Sequence, residues 1–255
     1  MVAGPTPLSR AAGKSGGSPP LEGLVSLLQL SDSAFPSGRY TLSYGLETLV
    51  QSGHLAAPAA VSTLSSLLCD SVRWGVGPSD GAALACAHRA LGPDGDVDLE
   101  LIAQVDLRLT AVKLSREARE ASARTGRAVL ATATAAFGTS LLDPYAERVK
   151  QGRSPGNHAV VVGLLGAGLG VPCLEMLVGE LYAFASGWAA AAVRLGLVNH
   201  RAAQALLHHA RPVLAAVAHE ALDRPVNVNQ ISSCTPLLDV MAMRHEQAEL
   251  RLFAS

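Results

Sequence analysis

Apolar residues recur at helical spacing along most of the chain. Intervals of three or four residues separate Val61, Leu64, Leu68 and Val72 in one segment, and Leu99, Ile102, Val105 and Leu109 in another. This spacing places the apolar side chains on one face of a helix, where they can pack against a core. An alternating apolar and polar pattern of convincing length, which would indicate a strand, does not occur. The pattern therefore predicts an all-α fold.

Turn residues and capping residues divide the pattern into about ten helices. The predicted segments are Leu21–Ser31, Thr41–Gln51, Pro58–Trp74, Ser79–Leu91, Asp98–Phe137 with either a break near Thr110 or a bend, a short helix opened by Asp143-Pro144, His158–Leu169, Pro172–Val198, His200–Leu222, and a last helix from Pro236. Proline suits the first turn of a helix, and serine or aspartate can cap one, as Ser79 or Asp80 would and Asp98 would. The sequence thus predicts a single-domain bundle over residues 21–255, with a C-terminal helix and tail.

Residues 1–20 consist mainly of glycine, proline, serine and other small residues, with almost no large apolar side chain. Such a composition cannot bury enough apolar surface to fold, so it predicts a disordered tail. The tail contains Gly13-Lys14-Ser15, which is the end of a phosphate-binding loop motif. That motif needs a glycine where Leu8 stands and a preceding strand, so a nucleotide site is excluded here.

Composition narrows the function classes. Apolar residues make up 49% of the 255 positions but aromatic residues only 4%, which favours helices packed closely through small side chains. The net charge is −1, and the sequence has no basic stripe or run of like charges. We therefore do not expect the chain to bind nucleic acid or an anionic membrane surface.

Four widely spaced cysteines without a CxxC pair indicate reduced thiols rather than a disulfide framework or a zinc site. The longest apolar stretches, 159–171 and 181–193, are shorter than the ~20 residues that span a bilayer. We expect a cytoplasmic protein without a membrane segment.

The histidines do not form a recognisable metal or catalytic motif. His208 and His209 are adjacent and point about 100° apart on a helix, whereas two ligands on one face need a spacing of three or four. His219-Glu220 lacks the second histidine of HExxH because Asp223 stands there, and His88 is interpreted as a surface or capping residue. No serine lies in a GxSxG context. The residues thus give no argument for an enzyme, a metal or a cofactor bound by this chain alone.

A polar turn with aromatic residues separates the first two predicted helices. In the segment Ser31–Glu47, SDSAFPSGRYTLSYGLE, Pro36 fixes its own φ and Gly38 can adopt a positive φ. Phe35 and Tyr40 flank the turn, so a sharp reversal between packed helices would carry large apolar anchors.

Four segments, in order, resemble the UreF family of urease accessory proteins. They are LLQLSDSAFPSG followed by SYGLE, then SREAREASARTGRAVL, then HAV with GLLGAGLG, and finally MAMRHEQAELRLFAS at the C-terminus. The resemblance covers about residues 21–255. It implies a non-catalytic, all-helical and homodimeric chaperone that binds UreD (also called UreH), recruits the GTPase UreG, gates its activity, and helps to insert nickel into apo-urease. Nickel and GTP would belong to the partner complex.

The resemblance also implies partner-binding residues. On the UreD/UreH side these are Met243, Arg244, His245, Glu246, Arg251, Leu252 and Phe253. On the side of the dimer or the GTPase they are Ser31, Asp32, Phe35, Pro36, Gly38, Tyr44, Glu47 and Arg194. A bound metal is not implied for any of them.

The chain departs from the family pattern at several positions. Arg39 replaces a glycine, so a positive φ there would cost energy; Leu42 replaces a polar residue, and Ala254 replaces an arginine. An alternative function remains open, namely an all-helical enzyme or small-molecule binder with a closed apolar pocket, lined by Tyr44, Glu47 and His88. A scaffold would instead expose apolar patches that partners cover.

Overall fold

The computed structural model describes residues 21–138, 140–248 and 252–254, and within them the fold is a bundle of eleven α-helices. The helices are α1 Leu21–Ser31, α2 Leu46–Gln51, α3 Val61–Asp70, α4 Ala82–Arg89, α5 Leu99–Val112, α6 Arg116–Ala136, α7 Asp143–Lys150, α8 His158–Gly168, α9 Cys173–Arg194, α10 His200–Asp223 and α11 Pro236–His245. Those residues form no β-strand, only an isolated bridge between Leu91 and Val97. The prediction of an all-α fold with about ten helices is confirmed. The predicted tail at 1–20 lies outside the described residues.

Two apolar helices, α8 and α9, form the centre of the bundle. Nine consecutive residues of α8, from His158 to Gly166, are buried, and Trp188 of α9 is the largest fully buried side chain. A methyl group on Gly163 would meet the carbonyl oxygen of Leu84, so α4 and α8 approach closely because no side chain separates them. Packing through small residues, as the composition indicates, is therefore present in the core.

By length and composition, α9 is also the one helix in the described part of the chain that could cross a membrane. In its most apolar window, 61% of the residues are buried inside the bundle. Core helices of soluble proteins pass the same test of length and composition, so the helix is weak evidence for a membrane span.

The segment Ser71–Gly81 is π-helical and joins α3 to α4 without a break. Pro78 cannot donate a backbone hydrogen bond, and two carbonyls of the segment accept from outside the helix: Trp74 from the Cys234 amide at 2.8 Å and Pro78 from the Ser232 amide at 3.0 Å. The prediction that Ser79 or Asp80 caps a new helix is wrong. The Ser79 hydroxyl instead donates to the Gly75 carbonyl within the π-helical segment.

Two predicted helix starts lie later in the structure. The helix predicted from Thr41 begins at Leu46, because Tyr44 and Gly45 adopt φ of 55° and 82°, which interrupt a right-handed helix. The helix predicted from Pro58 begins at Val61, and the Ala59 amide instead donates to the Leu197 carbonyl.

Of the two alternatives for the long segment after Asp98, the structure has the break, which separates α5 from α6. Asp98 caps α5 by accepting from the Leu101 amide at 2.9 Å, and Ser115 caps α6 by accepting from the Ala118 amide at 3.1 Å. Arg116 and Glu120 pair at 4.0 Å on the exposed side of α6, because a spacing of four residues brings them to the same helix face. Glu117 of the same helix is buried.

Candidate functional site: a carboxylate clamp at the C-terminal segment

Three charged side chains from distant parts of the chain meet inside the bundle. His245 at the end of α11 places Nδ1 2.7 Å from Glu117 Oε2 and Nε2 3.0 Å from Glu47 Oε2, and all three side chains are buried. An ionised carboxylate can only accept a hydrogen bond, so both ring nitrogens donate where both carboxylates are ionised. The group Glu47–His245–Glu117 is called the carboxylate clamp below.

Glu47 also holds the C-terminal segment 252–254. Its Oε1 accepts from the Leu252 amide at 2.7 Å, and its Oε2 accepts from the Phe253 amide at 3.1 Å. The Ala254 amide then donates to the Thr41 carbonyl at 2.8 Å. A single buried carboxylate therefore joins α2, α11 and the C-terminal segment, and charge-assisted bonds of this kind are stronger than neutral ones.

The C-terminal segment brings an aromatic ring to Arg194 at the end of α9. The guanidinium carbon of Arg194 lies 4.1 Å from the centre of the Tyr40 ring and 4.4 Å from the centre of the Phe253 ring. Both distances are within the range of cation–π interactions. The trio Tyr40–Arg194–Phe253, called the stacked trio below, is exposed at Tyr40 and buried at Phe253.

A second buried ion pair follows the N-terminal turn. Arg39 Nη1 donates to Glu180 Oε2 at 2.8 Å and lies 3.0 Å from His158 Nε2. Burial by itself would raise the pKa of Glu180, but the charges of Arg39 and His158 and their hydrogen bonds outweigh it and lower that pKa to about 2. Burial likewise raises the pKa of the Tyr44 hydroxyl, and the positive charge of Arg39 offsets part of that rise.

The structure explains how an arginine fits at position 39, where the family pattern has a glycine. The positive φ of the turn falls on Gly38, at 76°, whereas Arg39 begins a short 3₁₀ turn, Arg39–Thr41. Arg39 thus has no positive-φ requirement, and its side chain supplies the cation for buried Glu180.

A cavity of about 220 Å³ lies between the N-terminal turn, the π-helical segment, α6 and α11. Tyr44 lines it, as expected for the alternative function, but Glu47 and His88 do not. Glu47 belongs to the carboxylate clamp. His88 is neither a surface nor a capping residue: its Nε2 lies 2.8 Å from the Val171 carbonyl, and burial lowers its pKa despite that bond.

The other residues predicted at the N-terminal turn have different environments. Phe35 is buried and anchors the turn, whereas Asp32, Pro36 and Gly38 are exposed and Ser31 is half-buried. Asp32 accepts from the Ala34 amide at 2.7 Å. The exposed positions are available to a partner, and Phe35 supports them from inside.

The predicted C-terminal residues divide in the same way. Met243, Arg244 and Leu252 are exposed, whereas His245 and Phe253 are buried. Half-buried Glu246 accepts from the Arg116 amide at the start of α6 at 2.6 Å, and Arg251 lies outside the described residues. Buried members of the set can shape a partner surface but do not touch a partner in this conformation.

Sequence reasoning missed several residues of this region. Glu117, Arg39, Glu180 and His158 were not candidates, because nothing in a single sequence distinguishes a buried charged residue from one on a solvated helix face. Tyr40 was noted only as an apolar anchor, although it stacks on Arg194. Among residues 21–138, 140–248 and 252–254, no group of three histidine, cysteine or carboxylate side chains is arranged to hold a metal ion.

Comparisons with known proteins agree with the resemblance to the UreF family. The sequence model of the UreF family matches residues 59–211. The urease accessory protein UreF of Trichodesmium erythraeum is 32% identical over 91% of this chain and 96% of its own length, and that of a Bradyrhizobium species is 34% identical over 92% and 93%. The urease accessory protein UreF 2 of Brucella suis is 29% identical over 91% and 92%. The chain therefore belongs to the UreF family of urease accessory proteins.

Proposed function

We propose that this chain is a non-catalytic scaffold for urease maturation, which binds UreD (UreH), recruits the GTPase UreG with its nickel, and gates the activity of that GTPase as the assembly meets apo-urease. The observation that carries this proposal is the anchored C-terminal segment. Its buried residues are fixed by the carboxylate clamp, and the apolar side chains around it face solvent.

The outer face of α11 supports the contact with UreD (UreH). Leu237, Val240 and Met243 are exposed on this helix, with 44% of Val240 accessible, and Leu252 in the C-terminal segment is 82% accessible. Exposed apolar residues that cluster on one surface are typical of protein–protein interfaces. We therefore place UreD (UreH) on the surface formed by α11 and Leu252.

The stacked trio supports a contact on the GTPase side. Arg194 is held by two aromatic rings but remains partly accessible, and arginine and tyrosine are enriched among the residues that dominate interface energies. We assign the GTPase-facing surface to Arg194 and Tyr40, together with the exposed positions Asp32, Pro36 and Gly38.

A homodimer contact is supported by the face shared by α1 and α9. The exposed apolar side chains of this face are Leu21, Leu24, Val25 and Leu28 of α1 and Val178 and Tyr182 of α9. A second copy that packs its own α1 and α9 here would cover these side chains by two-fold symmetry. In this proposal, nickel and GTP are bound by the partner complex, and the protein acts in the cytoplasm.

The assignment of the UreD surface can be tested with the full chain and one charge placed on α11. We expect Val240→Glu to weaken binding to cognate UreD (UreH) by at least about tenfold, because a desolvated carboxylate would lie in an apolar interface. Gln204→Glu, at an exposed position of α10, is the matched control and should bind normally. Equal affinity of the two variants would move the UreD contact away from α11.

A further inference from the structure

The cavity of about 220 Å³ is lined by no residue of the carboxylate clamp or the stacked trio. An engineered protein cavity of about 150 Å³ binds benzene, so this volume has room for about ten non-hydrogen atoms. Its apolar lining comes from Leu42, Val76, Val112, Phe184 and Leu238. An apolar cavity with a few polar groups is typical of small-molecule sites.

The Ser122 hydroxyl oxygen and Nδ1 of His158 are buried and have no hydrogen-bond partner among the described residues, and both residues line the cavity; the hydroxyl of Tyr44 is a third such atom of the lining. His158 Nε2 lies 3.0 Å from Arg39 Nη1, which can only donate, and 3.3 Å from Glu180 Oε2; Nδ1 carries a hydrogen both when Nε2 accepts from Arg39 and when the ring is protonated beside Glu180. The wall therefore presents an N–H donor and a hydroxyl. Buried polar groups are seldom left unpaired, so these two indicate an absent partner with a hydrogen-bond acceptor.

The charges around the cavity argue against an anion. Arg39 is paired with Glu180 at 2.8 Å, and Lys113 is paired with Asp80 at 2.7 Å, so the charges of Arg39 and Lys113 are already neutralised. Asp239 adds a further carboxyl group. Burial raises the pKa of Asp239, although the hydrogen bonds from Thr235 and the charge of Lys113 each lower it. This wall of the cavity therefore disfavours negative charge.

Two backbone features also mark this region. One wall is the π-helical segment Ser71–Gly81, and π-helical turns occur frequently at functional sites. Tyr44, which lines the cavity, is the one non-glycine residue with positive φ among the described residues. Strained backbone of this kind clusters at ligand sites.

We propose that the cavity binds a small uncharged molecule with an apolar body and a terminal carbonyl-type oxygen, which accepts hydrogen bonds from His158 and Ser122. This site is separate from the partner surfaces proposed above, and its existence does not depend on them. Because Leu238, Asp239 and Ala242 of α11 line the cavity, a bound molecule would also stabilise the position of that helix.

Benzamide, benzoate and toluene are matched probes for the full chain, since they share a ring and differ in the acceptor and the charge. Titration followed by saturation-transfer NMR and calorimetry should show benzamide binding at least about tenfold more tightly than benzoate or toluene. In ¹⁵N-labelled protein, the Nδ1–H signal of His158 should be present without ligand and should shift on addition of benzamide.

Ser122→Ala should weaken benzamide binding by about threefold to tenfold, because one hydrogen bond is lost. Ser66→Ala, at an exposed position of α3, is the control. Ser122→Leu should abolish binding by filling the cavity. If that variant does not fold, the comparison of Ser122→Ala with Ser66→Ala and the Nδ1–H signal of His158 still test the proposal. Absence of benzamide binding, equal binding of benzoate, or unchanged affinity in Ser122→Ala would overturn the proposal and leave only a water-filled cavity.

Discussion

Glu47 and His245 are 198 residues apart in the sequence and share a hydrogen bond of 3.0 Å inside the bundle. The same carboxylate holds the amides of Leu252 and Phe253, so one side chain of the short helix α2 fixes both α11 and the chain that follows it. The stability of the C-terminal region should therefore depend more strongly on Glu47 than on any exposed residue of α11.

We expect Glu47→Gln to destabilise the protein by about 3–5 kcal/mol, because it removes one partner of a buried ion pair and leaves His245 with one carboxylate. Urea denaturation measures this difference. Hydrogen exchange at the amides of Leu252 and Phe253 should accelerate in the same variant, since their acceptor is weakened. Glu120→Gln, on the exposed side of α6, is the control and should change stability by less than about 0.5 kcal/mol. Similar stability losses in the two variants would contradict a special role for the clamp.

The stacked trio predicts a separate effect of Arg194. Replacement by glutamine removes two cation–π contacts, so Phe253 should be held less firmly and its amide should exchange faster by about threefold or more. Binding to UreG should weaken in the presence of UreD (UreH). Arg211→Gln, at an exposed arginine of α10 that hydrogen-bonds to His208 of its own helix, should leave both measurements unchanged. If Arg194→Gln also leaves them unchanged, the assignment of the GTPase side to Arg194 is wrong.

The pKa of Glu180 predicts a pH dependence of stability. Its pKa is about 2 in the folded protein and 4.5 in the reference state, so folding favours the ionised carboxylate. That contribution is fully present above pH 4.5 and is lost as the pH falls towards 2. The stability difference between the wild type and Glu180→Gln should therefore shrink between about pH 6 and about pH 3 in urea denaturation. A difference that is constant or grows on acidification would contradict the Arg39–Glu180 pairing.

Close packing of α6 against the loop before α8 predicts the effect of one methyl group. In Gly126→Ala the new Cβ would meet the Gly156 carbonyl and the His158 amide, both of which are backbone groups that cannot rotate away. Higher helix propensity would favour alanine by about 1 kcal/mol, but the overlap should exceed that gain and lower the free energy of unfolding by about 2 kcal/mol. Gly92→Ala, whose Cβ would lie 3.4 Å from the Asp96 carbonyl, should be near neutral. Equal thermal midpoints for the two variants would contradict the packing described here.

Much of the fold could be predicted from the sequence because the apolar periodicity and the capping residues are local signals. The helices at His158, Cys173, His200 and Pro236 begin within one residue of their predicted starts. The π-helical segment was missed, since its carbonyls are satisfied by Ser232 and Cys234, about 150 residues away. Nothing local indicates such long-range partners.

The candidate site was predicted only in part. The turn and the C-terminal segment were singled out by their resemblance to the family, and the structure brings them together through Glu47 and Phe253. The pairing of Glu117 with His245 inside the clamp could not be predicted from sequence, because a helical pattern gives no information on which charged residue faces another helix.

The central claim is that the chain acts as a scaffold, and light-scattering chromatography with cognate UreD (UreH) and UreG tests it most directly. The full-length chain should be compared with one that ends at Ala248. An end at Val240 would remove buried Met241 and His245 and confound unfolding with lost contacts. We expect the full-length chain to elute in one complex with both partners, and the shortened chain to remain folded but lose that complex. A full-length chain that binds neither partner and elutes as a compact monomer would contradict the account.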